Sequence, residues 1–345
     1  MTKVAVVGAT GYAGAELVRI LSMHPEVELA MITSRQHAGA RFAAIYPGME
    51  TLTELVCEPF DAEAIRQRVD IAFLALPHEL PMAIVPALQD GGVRVVDLSA
   101  DFRFTSQERY AAAYQPHAAP ELLDRAVYGL TEVYREQIAA ADLVGNPGCY
   151  PTTVLLPLVP LLRAGLVDAN GLIADAKSGV SGAGRSPSLT THFCEVNESY
   201  RPYKVADHRH NPEMDEKLSQ AAGKPVHITF VPHLVPMTRG MLTTIYARPQ
   251  NAVTKAMIWD CLRSFYDQAS FVRLCTEGRI PDTRFVKGTN FCDIGLRRDA
   301  VNDQLILMAA IDNLVKGAAG QAVQNMNLMI GAHEGCGLMP APHPL

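Results

Sequence analysis

The most constraining feature of this chain lies at its start. A four-residue apolar run, Val4-Ala5-Val6-Val7, enters Gly8-Ala9-Thr10-Gly11-Tyr12-Ala13-Gly14, and a helical pattern through Glu16, Leu17, Ile20 and Leu21 follows. A short apolar run bounded by glycine reads as a buried strand, and apolar residues three or four apart read as one face of a helix. Strand, glycine turn and helix in that order open an α/β fold with a parallel sheet. Glycines let the main chain come close to a pyrophosphate, and a helix N-terminus offers it unpaired N–H groups and a favourable dipole. The spacing is GxxGxxG rather than GxGxxG, so a tight turn that holds no ligand is the competing reading.

A second strand, Val27–Ile32, runs into Thr33-Ser34-Arg35, where an NAD-binding fold usually carries an acid for the ribose hydroxyls. A hydroxyl and a guanidinium suit an adenosine 2′-phosphate, which favours NADP, although Arg35 as a solvated surface charge is the alternative. Further apolar runs at 70–76 and 93–98 extend a doubly wound parallel sheet. Ligands in such sheets sit beyond the carboxyl ends of the strands, which selects Pro77-His78 and Ser99–Arg103 as loops facing a cleft. Arg103 is there either as an anion ligand or as the partner of Asp101.

At 345 residues the chain is long enough for two domains. A charged fraction of 19% with 48% hydrophobic residues describes a globular chain, and the net charge of −6 gives no general attraction to nucleic acid or anionic lipid. The seven cysteines are odd in number and show no zinc-type spacing, which is the usage of a reducing compartment and leaves no metal site to expect. With no signal-peptide pattern and no membrane-length apolar run, a cytoplasmic location is expected.

The second half opens with Gly145-Asn146-Pro147-Gly148-Cys149-Tyr150-Pro151-Thr152-Thr153. The pattern sets Cys149 at the start of a helix, where N–H groups and partial positive charge favour a thiolate; a buried, inert cysteine in an ordinary turn is the other possibility. Pro157 and Pro160 are expected to kink or shorten that helix, and Gly165 to stop it. A strand at 172–176 leads to Ser178-Gly179-Val180-Ser181-Gly182-Ala183-Gly184-Arg185, which lacks Walker spacing and reads as a loop lying against a ligand or as a flexible surface loop. Between Tyr200 and Glu213, Arg201, Lys204 and Arg209 accompany His208 and His210. That local positive density suits an anionic substrate, and in an extended segment both imidazoles would share one face, as catalytic or as structural residues. A metal bound there would need a third ligand that is not evident nearby. Strands at 226–232, 241–247 and 305–311 with few helices between them predict a mostly antiparallel second sheet, usable as a subunit interface. Asp312–Gln321 opens a small-residue helix that returns to the first domain.

Taken together, Gly8–Gly14, Leu98–Arg103, Gly145–Thr153, Ser178–Arg185, His208–Glu213 and Asp312–Gln321 resemble the N-acetyl-gamma-glutamyl-phosphate reductase family over almost the whole chain. The glycine turn and the Asp312–Ala322 string are shared with the wider aspartate-semialdehyde dehydrogenase superfamily. The Asn-Pro-Gly-Cys-Tyr-Pro-Thr and His-Arg-His-x-Pro-Glu strings are the discriminating ones. The resemblance implies a Rossmann domain over 1–148, completed by a C-terminal helix 313–345. It also implies a catalytic and dimerisation domain over 149–312, α+β and like that of glyceraldehyde-3-phosphate dehydrogenase. NADP(H) would be the cofactor, held by Gly8, Thr10, Gly11, Tyr12, Ala13, Gly14, Ser34 and Arg35, with Ser178, Gly179, Ser181, Gly182 and Asn313 completing its site.

Carried over residue by residue, Cys149 is the nucleophile and His210 or His208 the acid/base. Arg103 holds the substrate phosphate, and Asn146, Arg201, Lys204 and Arg209 line the substrate. The implied reaction is NADPH-dependent reduction of N-acetyl-gamma-glutamyl phosphate to the semialdehyde and phosphate, in arginine biosynthesis, by a homo-oligomer, a dimer or tetramer. Reduction of aspartyl phosphate or of acetylaminoadipyl phosphate are the alternatives within the class. A cysteine hydrolase and a non-catalytic NADP-binding sensor are the alternatives outside it.

Overall fold

The computed structural model describes residues 1–275 and 278–339. The described chain forms two compact units, one comprising Met1–Gly148 with residues 318–339, the other Cys149–Gly317. In the first unit the strands are β1 (Thr2–Val7), β2 (Val27–Thr33), β3 (Cys57–Glu58), β4 (Ile71–Leu74), β5 (Arg94–Asp97), β6 (Val127–Tyr128) and β7 (Leu143–Gly145). Their order is β3-β2-β1-β4-β5-β7-β6 and every pairing is parallel. Ile71–Leu74 and Val4–Val7 are buried along their whole length, as strands covered on both faces must be. Chain direction across the sheet reverses between β1 and β4, the switch point beyond which such sheets bind ligands.

The helix Gly320–Met329 completes this unit and is buried on nearly every side, polar residues included. Those polar groups find partners in the unit. Gln321 donates to the Gly129 carbonyl at 2.9 Å, Thr131 donates to Asn325 Oδ1 at 2.7 Å, and Asn325 Nδ2 donates to Asn146 Oδ1 at 3.0 Å. A π-helical turn, Val315–Ala319, precedes it, so the helix expected over 313–345 is shorter, and 340–345 lie outside the described residues. The chain passes back to the first unit after Gly317 rather than after Asp312.

In the second unit β8 (Leu172–Gly179), β9 (Arg201–Pro202), β10 (Ile228–Val235), β11 (Met241–Ala247), β12 (Val272–Leu274), β13 (Cys292–Asp299) and β14 (Gln304–Ile311) form a sheet in the order β12-β13-β14-β11-β8-β10-β9. Four pairings are antiparallel, while β8/β10 and β12/β13 are parallel. The sheet is thus mixed with an antiparallel majority. Buried and half-buried residues alternate along β11, and the helix Cys149–Arg163 packs on β11 and β14.

That helix corrects one expectation. It runs unbroken for 15 residues through Pro157 and Pro160. Proline at 160 cannot donate to the Leu156 carbonyl, and the Tyr266 hydroxyl takes that carbonyl instead. Inside a fully buried helix this substitute donor removes the main penalty of the missing N–H. The helix does stop near Gly165, whose φ is +64° and whose N–H donates to Leu162 O at 3.1 Å while Leu166 N–H reaches Leu161 O at 2.9 Å, a glycine C-cap.

Candidate active site

In the first unit the three glycines of the opening turn have different reasons for being glycine. Gly8 has φ +85°, and a Cβ there would lie 2.4 Å from Ala75 O; at Gly14 it would lie 2.3 Å from Gly8 O. Both are required by the chain's own packing. A Cβ at Gly11 would meet only Gly8 O, at 3.8 Å, so nothing in the protein forbids a side chain. Gly11 is the N-cap of the ten-residue helix Tyr12–Leu21, which has no side-chain cap and no acid in its first turn. Open space before uncapped N–H groups fits a dinucleotide pyrophosphate, the group the turn is expected to hold.

Thr10 and Ser34, distant in sequence, have their hydroxyls 2.9 Å apart. Ser34 Oγ also accepts from His37 N–H at 3.3 Å, and Tyr46 donates to the Thr10 carbonyl at 2.9 Å. Arg35 is exposed next to them, Tyr12 is exposed and Ala13 is partly buried. Tyr46 was not anticipated from the sequence, since only the fold brings it to the turn.

At the end of β5 a buried polar cluster shapes the next loop. Asp97 accepts from Ser99 N–H at 3.0 Å and from Ser99 Oγ at 2.6 Å. Burial, and then the nearby Asp101 charge, push its carboxyl up to about 7, against the opposing effects of Ser99 and Arg103. The Asp101 carboxylate accepts from Glu79 N–H, Met82 N–H and the Tyr110 hydroxyl at 2.9–3.1 Å. Arg103 is 5% exposed. Its Nε donates to Asn146 O at 2.6 Å and its Nη2 to Leu98 O at 2.8 Å. The guanidinium therefore grips the main chain of the turn that ends at Gly148. Asn146, expected at the substrate, is 1% exposed, donates to Ala318 O at 3.1 Å and accepts from Asn325. Its amide ties the turn to the C-terminal segment of the same unit.

In the second unit Cys149 is the first residue of its helix and is partly exposed. Pro151 falls in the first turn, where its missing N–H costs nothing. The Tyr150 side chain points into an aromatic cluster: its hydroxyl is 3.0 Å from that of Tyr203 and donates to His233 O at 3.5 Å. Burial foremost raises both phenols, Tyr203 to about 12. The ring centroid of His208 lies 5.4 Å from those of Tyr150 and Phe230 and 4.9 Å from that of His210. His208 Nδ1 accepts from His210 N–H at 3.1 Å, which leaves the ring proton on Nε2. Burial, then the charges of Arg209 and Lys204, push the His208 imidazole down to about 4, so it is neutral near pH 7.

The histidine segment is not extended at His210. His210 has φ −83° and ψ −11° and caps the helix Asn211–Ala222. The turn nonetheless brings the imidazoles together, and the His210 ring centroid lies 6.0 Å from that of Tyr150. Among the basic residues, Arg201 donates to Thr190 O at 2.7 Å, while Lys204 and Arg209 are exposed.

Ser178 and Gly179 end β8, and Val180–Ala183 form a 3-10 turn. Ser178 and Ser181 are buried, which is not the behaviour of a flexible surface loop, whereas 182–190 are exposed. Asn313 ties this turn to the next: its Nδ2 donates to Ser181 Oγ at 2.9 Å and its Oδ1 accepts from Gly240 N–H at 2.8 Å. Gly182 lies beside the same pair, its Cβ position being 3.3 Å from Ser178 Oγ and 3.7 Å from Asn313 Nδ2. Gly179 is glycine because a Cβ there would come within 2.8 Å of Thr238 O.

Two family models match, the semialdehyde dehydrogenase NAD binding domain over residues 3–141 and the semialdehyde dehydrogenase dimerisation domain over 149–313. Solved structures agree on the fold. Aspartate semialdehyde dehydrogenase II from Vibrio cholerae superposes with a TM-score of 0.74 at 19% identity over 96% of this chain and 98% of that one, and the Candida albicans enzyme with 0.68 at 18% over 96% and 99%. The class is thus that of the semialdehyde dehydrogenases. Full-length relatives narrow it. N-acetyl-gamma-glutamyl-phosphate reductase of Desulforapulum autotrophicum is 58% identical over 100% of both chains, and that of Syntrophobacter fumaroxidans 53% identical over 99% of both. The chain belongs to the N-acetyl-gamma-glutamyl-phosphate reductase family.

Proposed function

We propose that the protein reduces N-acetyl-gamma-glutamyl phosphate to N-acetyl-L-glutamate 5-semialdehyde and phosphate with NADPH, through an acyl group carried on Cys149. The observation that supports this most is the placement of Cys149 at the head of a long helix, with the His208/His210 pair packed against the ring of the next residue, Tyr150. A thiol at a helix N-terminus is favoured as thiolate. Attack on the acyl phosphate forms the C–S bond and breaks the C–O bond to phosphate, which leaves as the free anion. A thioester is the right intermediate because sulfur donates less electron density to the carbonyl than oxygen, leaving the carbon electrophilic. When bound, the reduced cofactor supplies the hydride that this carbon accepts.

His210 is the acid/base in this reading. It protonates the oxygen that becomes negative, then withdraws that proton as the C–S bond breaks and the aldehyde leaves. His208, buried and neutral, serves by accepting the His210 main-chain N–H and fixing the segment. Arg103 holds the turn before the nucleophile and supplies positive charge for the phosphate; Arg201, Lys204 and Arg209 add to the anionic attraction. NADP(H) would be held by Gly8, Thr10, Gly11, Tyr12, Ala13, Gly14, Ser34 and Arg35, with Ser178, Gly179, Ser181, Gly182 and Asn313 completing its site.

The dimerisation-domain description of the matching family model supports a homo-oligomer, a dimer or tetramer. Among the described residues no helix is long and apolar enough to cross a membrane, and the cytoplasm is the proposed compartment for a biosynthetic enzyme. Phosphate-dependent oxidation of N-acetylglutamate semialdehyde with NADP tests the function in the reverse direction. Turnover with that semialdehyde well above that with aspartate or acetylaminoadipate semialdehyde is expected, and the opposite ranking would reject the proposal.

A further inference from the structure

We propose that Gly317 is a positioning residue for the Cys149 side chain, an inference that rests on Cys149 being the nucleophile. A Cβ built on Gly317 would lie 2.7 Å from Cys149 Cβ, 3.3 Å from Cys149 Cα and 3.2 Å from Ile311 Cδ1. Carbon atoms do not approach to 2.7 Å without something shifting. The φ of Gly317 is not in the left-handed region, so alanine would suit its backbone, and the demand for glycine is steric. The main chain at 317 forms a wall against which the Cys149 Cβ rests, and the Cβ is the pivot from which Sγ is aimed.

The wall itself is held firmly. Gly317 N–H closes a π-type bond to Asp312 O at 3.0 Å within the turn Val315–Ala319, an irregularity that recurs at functional sites. The buried Asp312 carboxylate fixes the entry to the turn by accepting from Leu314 N–H at 2.8 Å, Val315 N–H at 3.2 Å and Gly288 N–H at 2.8 Å. Lys316 is fully buried next to Gly317, with its ammonium 5.8 Å from the Phe271 ring centroid. With the turn anchored from both sides, an added methyl at 317 displaces the cysteine rather than the wall.

The test is a stability cycle joined to a kinetic one, with Gly317→Ala made in the full chain carrying Cys149, Cys149→Ala or Cys149→Gly. Thermal midpoints should fall with Gly317→Ala in the first two backgrounds, which keep the Cβ at 149. In the Cys149→Gly background at least half of that loss should disappear. An equal loss in all three would overturn the proposal. If Gly317→Ala alone fails to fold, recovery of folding by Cys149→Gly supports the contact and failure there too rejects it. In the folded single variant kcat should drop at least about tenfold with KM within twofold, as small misplacements of a reacting group produce. The pH midpoint of Cys149 alkylation by iodoacetamide should move as well. A parental kcat and alkylation profile would overturn the proposal whatever the stabilities. The stability cycle reads folding rather than turnover, so it stands apart from Cys149→Ser turnover, which tests the nucleophile itself.

Discussion

Cys149→Ser should keep cofactor binding and lose turnover by several orders of magnitude, because an alkoxide at that position is neither formed near pH 7 nor able to give a thioester. Steady-state assay with parallel NADPH titration checks both halves. Arg103→Ala should raise KM for the acyl phosphate. It should also cost about 1–3 kcal/mol of stability in denaturant titration, since the Asn146 and Leu98 carbonyls lose their donors. For His208 the folded-state pKa of about 4 lies below the ordinary 6.5. Its contribution is therefore complete above pH 6.5 and is lost as pH falls toward 4, by about 3 kcal/mol in all. His208→Asn, which keeps an acceptor for His210 N–H and cannot titrate, should flatten that acid limb in pH-dependent unfolding. The helix start at Cys149 was legible in the sequence because its signal is local to a short motif. Tyr203 and Tyr46 were not, since each meets its partner across more than 30 positions of chain.

Helices and strands show the same division between local and distant causes. Continuous apolar runs such as Val4–Val7 and Ile71–Leu74 announced parallel strands, whereas β13, with Gly295 and four charged residues among its eight, carried no such signal. It is a strand because β12 and β14 flank it. Pro157 and Pro160 do not shorten their helix, because the donor that replaces the Pro160 N–H comes from Tyr266. Removing that hydroxyl with Tyr266→Phe should destabilise the protein by about 1–3 kcal/mol, measured by urea unfolding. The same variant made together with Pro160→Ala should recover most of the loss. In the opening turn, Gly11→Ala should weaken NADPH binding while leaving the melting temperature near the parental value. Gly8→Ala and Gly14→Ala should instead compromise folding, a contrast that calorimetry and cofactor titration on the three variants would read.

For the whole molecule, Asp97 in the first unit and His208 in the second respond to pH in opposite senses. The Asp97 carboxyl, raised to about 7, favours the folded state fully below pH 4, and its contribution is lost as pH rises through 7. Asp97→Asn should therefore soften that decline in stability, seen as a flatter midpoint-against-pH curve between pH 4 and 7. The α/β class was readable from motif order, while the polar network around Gln321 and Asn325 was not, because buried amides look like surface residues until their partners are known. That network has a consequence for how the chain is made. Gly129, Thr131 and Asn146 leave the ribosome before residues 149–317 but wait for Gln321 and Asn325, which follow them. Residues 149–317 are therefore all made before the unit that precedes them in the chain can close its own polar core.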